Sequence, residues 1–430
     1  MEPEPAGCKN SKPDSNSTST YTYSGNNTTA TDPAGKWKTQ TSDAFGNLIM
    51  VTEPNPAGGN FTTSYSYSLL NQLLQVSMPR GSTTQYRTFT YNGQDMVSAA
   101  DPENGTVGYT YDASHRVLTR TDAKNQQTQY SYNALGQLAQ VLHGTVSNGT
   151  FTNDPTSTVN YSYDTYGRTS QVQFGAQDLN FARTYTYGYT YSTSNRILTQ
   201  TMGWNMYSTG GGGSPPTVAE SFGMSYQWDN EGKMTSYNDL TGQPYLYTYD
   251  GMGRATNLNP GTCVAYDSNY NCLADTNVTA TYGAANQLLG LSYTAYATQA
   301  VSETWTYNSL LQATAITASG GRTMNMTYNY PTNNNGRIAS SVDAVNSQTV
   351  NYTYDSLNRL TAAQPTGGWG ESYTYDGFGN LSGISPTGTG GETWTGVINQ
   401  STNQLQGVNY DANGNQIITY GTWRIAWCSS

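Results

Sequence analysis

The residues best equipped for chemistry are Asp and Arg placed four apart, as in Asp112 and Arg116, Asp164 and Arg168, Asp250 and Arg254, and Asp355 and Arg359. Two carboxylates flanking a bond can hydrolyse a glycoside. These side chains, however, recur with Asp376 at one position of a repeated unit, whereas a catalytic site is a single special constellation. A short carboxylate at such a place ends a strand and folds the chain by accepting backbone N–H bonds. The Asp residues are therefore read as turn holders, the Arg residues as their partners in neighbouring turns, and no enzyme is expected.

Other reactive groups are few. His115 occupies a loop position where other copies have Gly or Asn, and His143 precedes Gly144 in an expected turn, so both are expected in solvent. No Gly-x-Ser-x-Gly, His-Glu-x-x-His or phosphate-cradling loop occurs, and the run Gly210 to Gly213 lacks the Lys-Ser/Thr of a P-loop. Asp267, Asn269 and Asn271 alternate along one short stretch with Asp275 further on. Ca²⁺ takes several oxygens from such a segment, so calcium is the one cofactor the pattern suggests. Against it, Cys272 stands at the sixth position and no Glu closes the loop. Cys263 and Cys272 flank this polar loop and would staple a hairpin in an oxidising compartment. Their spacing is too wide for a Cys-x-x-Cys zinc or redox pair. Trp204, Trp228, Trp305, Trp369 and Trp394 depart from a tyrosine-dominated pattern. Beside Asn, Asp and Gln amides they are candidates for stacking on a saccharide, against the stronger reading that they fill gaps in a wall or cap its ends.

The elements that carry these residues follow from one stretch, Tyr352-Thr353-Tyr354-Asp355-Ser356-Leu357-Asn358-Arg359-Leu360. Alternating Thr and Tyr suit a half-buried strand. Asp355 ends it, and at the place of Asn358 other copies have Gly, which reaches positive φ without penalty. Arg359 and Leu360 open the return strand. A lone hairpin is marginal in water, so the unit needs neighbours. It recurs at roughly 20 to 25 residue intervals, in roughly fifteen imperfect copies. A second turn recurs between copies, at Asp101-Pro102-Glu103-Asn104-Gly105, Thr121 to Asn125 and Val342 to Asn346. Two turns per period give two strands per repeat, and no segment has sustained helical periodicity. The expected fold is all-β: consecutive hairpins in a long, curled antiparallel sheet.

Composition agrees with a thin wall. There are 37 Tyr against 8 Phe, and only 11% of residues are charged. Tyrosine must supply most of the buried area while its hydroxyl finds a partner or water. The net charge is −10 with no basic cluster, which disfavours nucleic acid and anionic membrane surfaces. No apolar run is long enough to span a bilayer. The organisation expected is an N-terminal tail over 1–30, in which Tyr21-Thr22-Tyr23 could begin an edge strand, a repeat array over 31–420 and a C-terminal tail over 421–430. Sequons such as Asn60, Asn104 and Asn351 fit extracellular exposure.

The Tyr-Asp-x-x-Gly-Arg-Leu core, with its upstream Thr-Asp-x-x-Gly turn, resembles the YD repeat, also called the RHS repeat. The resemblance implies a sheet of hairpins that spirals into a hollow shell, as in bacterial polymorphic toxins, insecticidal toxin complexes and teneurins. Toxin members release an enclosed C-terminus through a self-cleaving core. Residues 417–430 do not resemble that core, so encapsulation of cargo encoded in this chain is not expected. The function expected is a non-enzymatic extracellular or cell-surface structure that self-associates through exposed strand edges into a fibre or tube. The alternatives are a carbohydrate or cell-surface binding module and a shell fragment of a toxin-delivery system.

Overall fold

The structure, a computed structural model, describes residues 17–177, 181–208, 217–259, 263–266, 272–275, 277–295, 299–320 and 323–417. It is all-β, with one sheet of 32 strands and no α-helix among the described residues. From Thr20–Ser24 to Trp394–Thr395, strands pair antiparallel in chain order. Two places depart from that order. Thr150–Asn153 and Val159–Tyr163 share Leu138–Ser147 as partner. The hairpin of Cys263–Tyr266 and Cys272–Asp275 stands apart from the sheet, and Val278–Tyr282 pairs back onto Ala255–Asn259. The sheet begins earlier than the expected boundary at residue 31, because Thr20–Ser24 and Asn27–Thr31 already form its first hairpin.

Each Tyr-Asp unit closes a three-residue loop. In the unit of Asp355, its N–H donates to the Arg359 carbonyl at 3.0 Å and the Asn358 N–H donates to the Asp355 carbonyl at 3.1 Å. Asn358 sits at φ +62°, and the register slips at Tyr354. This is the type I turn with a left-handed third residue that forms a bulge. His115 and Leu311 fill the same left-handed position at φ +62° and +59°. His115 is exposed, as expected. His143 is also exposed but lies within the strand Leu138–Ser147 rather than in a turn, the reversal coming later at Asn148 and Gly149.

The wall is thin. Among the described residues its buried apolar side chains are Val76, Val141, Val301, Ala318, Val350, Ala362 and Ala363, all small. Tyrosines form a half-buried face, alternating with exposed positions, as in Pro244–Tyr249. Across that exposed face Thr hydroxyls pair on adjacent strands, at 2.6 Å between Thr190 and Thr199 and 3.0 Å between Thr353 and Thr361. With both faces reaching solvent, the sheet needs its tyrosines tied down and its turns locked together.

Candidate functional site

The Asp carboxylate of each unit is consumed by its turn. Asp355 Oδ1 accepts from the Leu357 and Arg359 amides at 2.9 Å, and Oδ2 accepts from Arg359 Nε at 2.6 Å. Asp112, Asp164 and Asp250 repeat the pattern with Arg116, Arg168 and Arg254. The Arg116 guanidinium holds the Asp112 carboxyl below its ordinary pKa, and Arg254 does the same for Asp250. No carboxylate of these four has a lone proton-transfer partner, so they hold turns.

Three of these arginines, Arg168, Arg254 and Arg359, also bond the turn of the next hairpin. Arg168 Nη1 donates to the Ser192 carbonyl at 3.0 Å and to Asn195 Oδ1 at 2.9 Å, with its guanidinium 4.6 Å from the Tyr191 ring centre. Arg254 reaches the Gly283 carbonyl and Arg359 the Asp376 carbonyl. Where a repeat has Gln, its amide does the work: Gln72 donates to Gly93 and Gln137 to Gly167. A planar fork can bond its own turn, bond the next and stack on a ring at once.

The repeat tyrosine supplies the second tie. Tyr67, Tyr111, Tyr132, Tyr163, Tyr191, Tyr249, Tyr282, Tyr330, Tyr354 and Tyr375 donate their hydroxyls to a carbonyl at or just before the start of a preceding return strand, at 2.6–3.1 Å. Burial pushes the Tyr132, Tyr163 and Tyr354 phenols above their ordinary pKa. Trp228 takes the tyrosine's place, its indole N–H donating to the Ile197 carbonyl at 2.7 Å.

A third set of bonds joins residues 287 to 326 apart in sequence. Asp32 Oδ2 accepts from Asn335 and Asn358 at 2.9 and 3.0 Å. Arg80 Nε donates to the Gly377 carbonyl at 3.0 Å. Gln85, 2% exposed, donates to the Gln400 carbonyl and to Asn403 Oδ1, both at 2.7 Å, and Asn403 donates to Glu103 at 2.6 Å. Asn413 donates to Asp122 at 2.7 Å, and Lys124 pairs with Asp411 at 3.0 Å. Backbone amides, the Asn415 amide first, and the Lys124 ammonium lower the Asp411 carboxyl to about 2.

These contacts have one geometry. The rim formed by the second turns of the early hairpins, from Asp32 to Lys124, rests on the rim formed by the Tyr-Asp turns of the late ones. The sheet has therefore gone once around and returned one level along. About two dozen strands lie side by side in that coil; at about 4.8 Å per strand it is on the order of 120 Å around and about 40 Å across. The result is a spiral with a seam. Cavities of about 450 and 390 Å³ open along it, the first between Trp37, Lys38 and Leu357, the second between Phe61, Arg80 and Tyr375.

The expected binding residues are distributed differently. Trp204, Trp228, Trp305, Trp369 and Trp394 are all half-buried in the wall. Trp204 packs between Tyr185 and Phe222, and no ring contact among the described residues joins two of the five. Asp267, Asn269 and Asn271 lie outside the described residues, as do the side chains of Asp275, Cys263 and Cys272. The backbone register sets Cys263 opposite Asp275 and Cys272 opposite Tyr266. The seam residues were not anticipated. Asp32, Glu103 and Asp122 sit in the recurring second turns, and that recurrence was their only signal.

Comparison with known proteins agrees with this geometry. The RHS Repeat family matches residues 111–145. The chain is similar to the Tc holotoxin pore of Photorhabdus luminescens, with 15% identity, a TM-score of 0.71, and 93% of this chain and 22% of that chain covered. It is similar to a TcdB2-TccC3 structure lacking the hypervariable C-terminal region, with 15% identity, a TM-score of 0.72 and the same coverage. The chain thus spans about a fifth of the length of those chains. No curated protein matches. The chain thus carries a matched RHS Repeat at residues 111–145, the same turn chemistry in copy after copy of a like hairpin, and the fold of those neighbours.

Proposed function

We propose that this chain is a non-catalytic wall segment of a hollow RHS-repeat shell that works outside the cell, as part of a toxin-delivery assembly. The observation that carries the reading is the seam. A sheet held only by neighbouring strands would be an open ribbon, whereas bonds from Asp32 to Asn358 and from Asp122 to Asn413 bring its late turns back onto its early ones, which supports a wall curled around a lumen. The turn carboxylates support a structural role, since each is occupied by its own loop and its own arginine. One solved neighbour is a Tc holotoxin pore and another a TcdB2-TccC3 structure, and this chain shares the fold of a portion of each.

Small-angle X-ray scattering tests the proposal. A spiral of about 40 Å diameter with walls one sheet thick gives the distance distribution of a hollow body. A distribution fitted by a flat ribbon or a filled globule would remove it.

A further inference from the structure

The chain has 37 Tyr, yet their rings meet one another in one place. Among the described residues every tyrosine–tyrosine ring contact lies on three successive strands, Thr217–Trp228, Met234–Asn238 and Pro244–Tyr249. The pairs Tyr226 with Tyr237, Tyr237 with Tyr247, and Tyr247 with Tyr249 have ring centres 6.2–6.4 Å apart. One pair is closer. Tyr237 and Tyr245 stand directly opposite in the antiparallel register, with ring centres 4.6 Å apart and planes 3° from parallel. Their π faces are in contact, so bringing the two ring edges together needs a change of tilt and no change of strand register.

The Tyr245 hydroxyl is also placed unlike those of the repeat tyrosines. Tyr249, on the same strand, is pinned to the Met234 carbonyl at 2.6 Å. Tyr245 instead donates to Asp239 Oδ2 at 3.3 Å, and a carboxylate, unlike an amide carbonyl, can take the proton. Burial first, then the Asp239 carboxylate, holds the Tyr245 phenol above its ordinary pKa, so the resting hydroxyl keeps its proton. Both rings are half-buried and so retain access to solvent.

We propose that Tyr237 and Tyr245 are a site of oxidative coupling, joined as a dityrosine staple when hydrogen peroxide acts through a haem peroxidase. Each ring gives up one electron and its phenolic proton, that of Tyr245 passing to Asp239 and that of Tyr237 to water. The two phenoxyl radicals pair in one carbon–carbon bond between ring positions next to the hydroxyls. The hydrogen on each bonded carbon then moves as a proton to its own ring's oxygen, restoring both phenols. The protein loses two hydrogen atoms in all, and the peroxide is reduced to two waters. Tyr226, Tyr247 and Tyr249 surround the pair, so an oxidation that begins on any of them has a path of neighbouring rings to the place where coupling ends it. The new bond closes the turn of Asp239 to Gly242 covalently. The inference rests on one hairpin and is independent of the seam and of the toxin-delivery reading.

Limited oxidation of the dilute native chain with a haem peroxidase and hydrogen peroxide tests it, with free tyrosine in a parallel tube to show that the oxidant couples phenols. Cleavage before Asp239 separates the two tyrosines, and the band of one-chain mass is then read by mass spectrometry and by dityrosine fluorescence. The most abundant intrachain link is expected to join Tyr237 to Tyr245, with the loss of two hydrogen atoms. Tyr237→Phe, shown to fold by an unchanged circular dichroism spectrum, is expected to lose that link and most of the fluorescence of the band. Tyr166→Phe removes a tyrosine that is 81% exposed and is expected to leave the link in place. The proposal is overturned if native wild type forms no such link while free tyrosine couples, or if another intrachain pair dominates. It is equally overturned if Tyr237→Phe keeps the fluorescence or Tyr166→Phe abolishes the link.

Discussion

Arg168 has the fullest set of contacts between repeats, so its truncation is the sharpest probe of the clip. Arg168→Ala removes bonds to Asp164 at 2.7 and 2.6 Å, to the Ser192 carbonyl at 3.0 Å and to Asn195 at 2.9 Å, together with stacking on Tyr191 at 4.6 Å. The Arg168 and Asp164 side chains keep 19% and 23% exposure, so solvent screening limits the ion pair to under about 1 kcal/mol. A charged donor on a part-buried carbonyl contributes about 1 kcal/mol, and the stacking about 0.5–1 kcal/mol. The combined loss is about 2–3 kcal/mol, a rise of roughly 30- to 150-fold in the local opening equilibrium. In a repeat array each unit contacts mainly its neighbours, so the effect stays local. Hydrogen-exchange mass spectrometry should show faster exchange in peptides spanning Tyr163 to Tyr191 and no change around Tyr354 to Leu381. Arg168→Lys keeps the charge without the planar fork and should restore only part of the protection. Unchanged exchange in Arg168→Ala, or a uniform rise along the whole chain, would refute the reasoning.

Other expectations follow from the same bonds. Tyr375→Phe deletes the 2.8 Å bond to the Leu360 carbonyl and should lower stability by about 0.5–1.5 kcal/mol in chemical denaturation; no measurable change would argue against the ladder as a stabilising element. Leu311 holds φ +59° with half its surface exposed, so Leu311→Gly should raise stability by about 0.5–1 kcal/mol while Leu311→Ala does not. Burial raises the phenols of Tyr111, Tyr132, Tyr163 and Tyr354. A raised folded pKa contributes stability below the unfolded value of about 10 and loses it as pH climbs through the folded values. Tyrosinate absorbance and β-sheet dichroism should therefore change together above about pH 10, and tyrosines titrating there with the sheet intact would contradict this.

Much of the fold was legible because the repeat states its own rules locally. Asp355, Asn358 and Arg359 show a strand end, a left-handed residue and a return strand within five positions. Recurrence separated turn carboxylates from catalytic ones. Trp228 departed from the pattern by filling the tyrosine's place, since an indole N–H can make the hydroxyl's bond. The seam was not legible. Whether Asp32 meets Asn358 depends on twist and curl accumulated over some two dozen strands, and in a chain rich in Asn and Gln no single amide announces a partner so far away.

The central claim is that the sheet returns on itself, and Lys124 with Asp411 tests it most directly. Their side chains lie 3.0 Å apart across the seam. A carbodiimide joins an amine to a carboxylate without a spacer, and Lys38 with Glu53, 2.9 Å apart on adjacent strands, serves as the internal control. Mass spectrometry of the band of one-chain mass should find both linked peptide pairs, and Lys124→Arg should remove only the first. If Lys38 links to Glu53 while Lys124 and Asp411 remain unlinked within a single chain, the spiral is wrong.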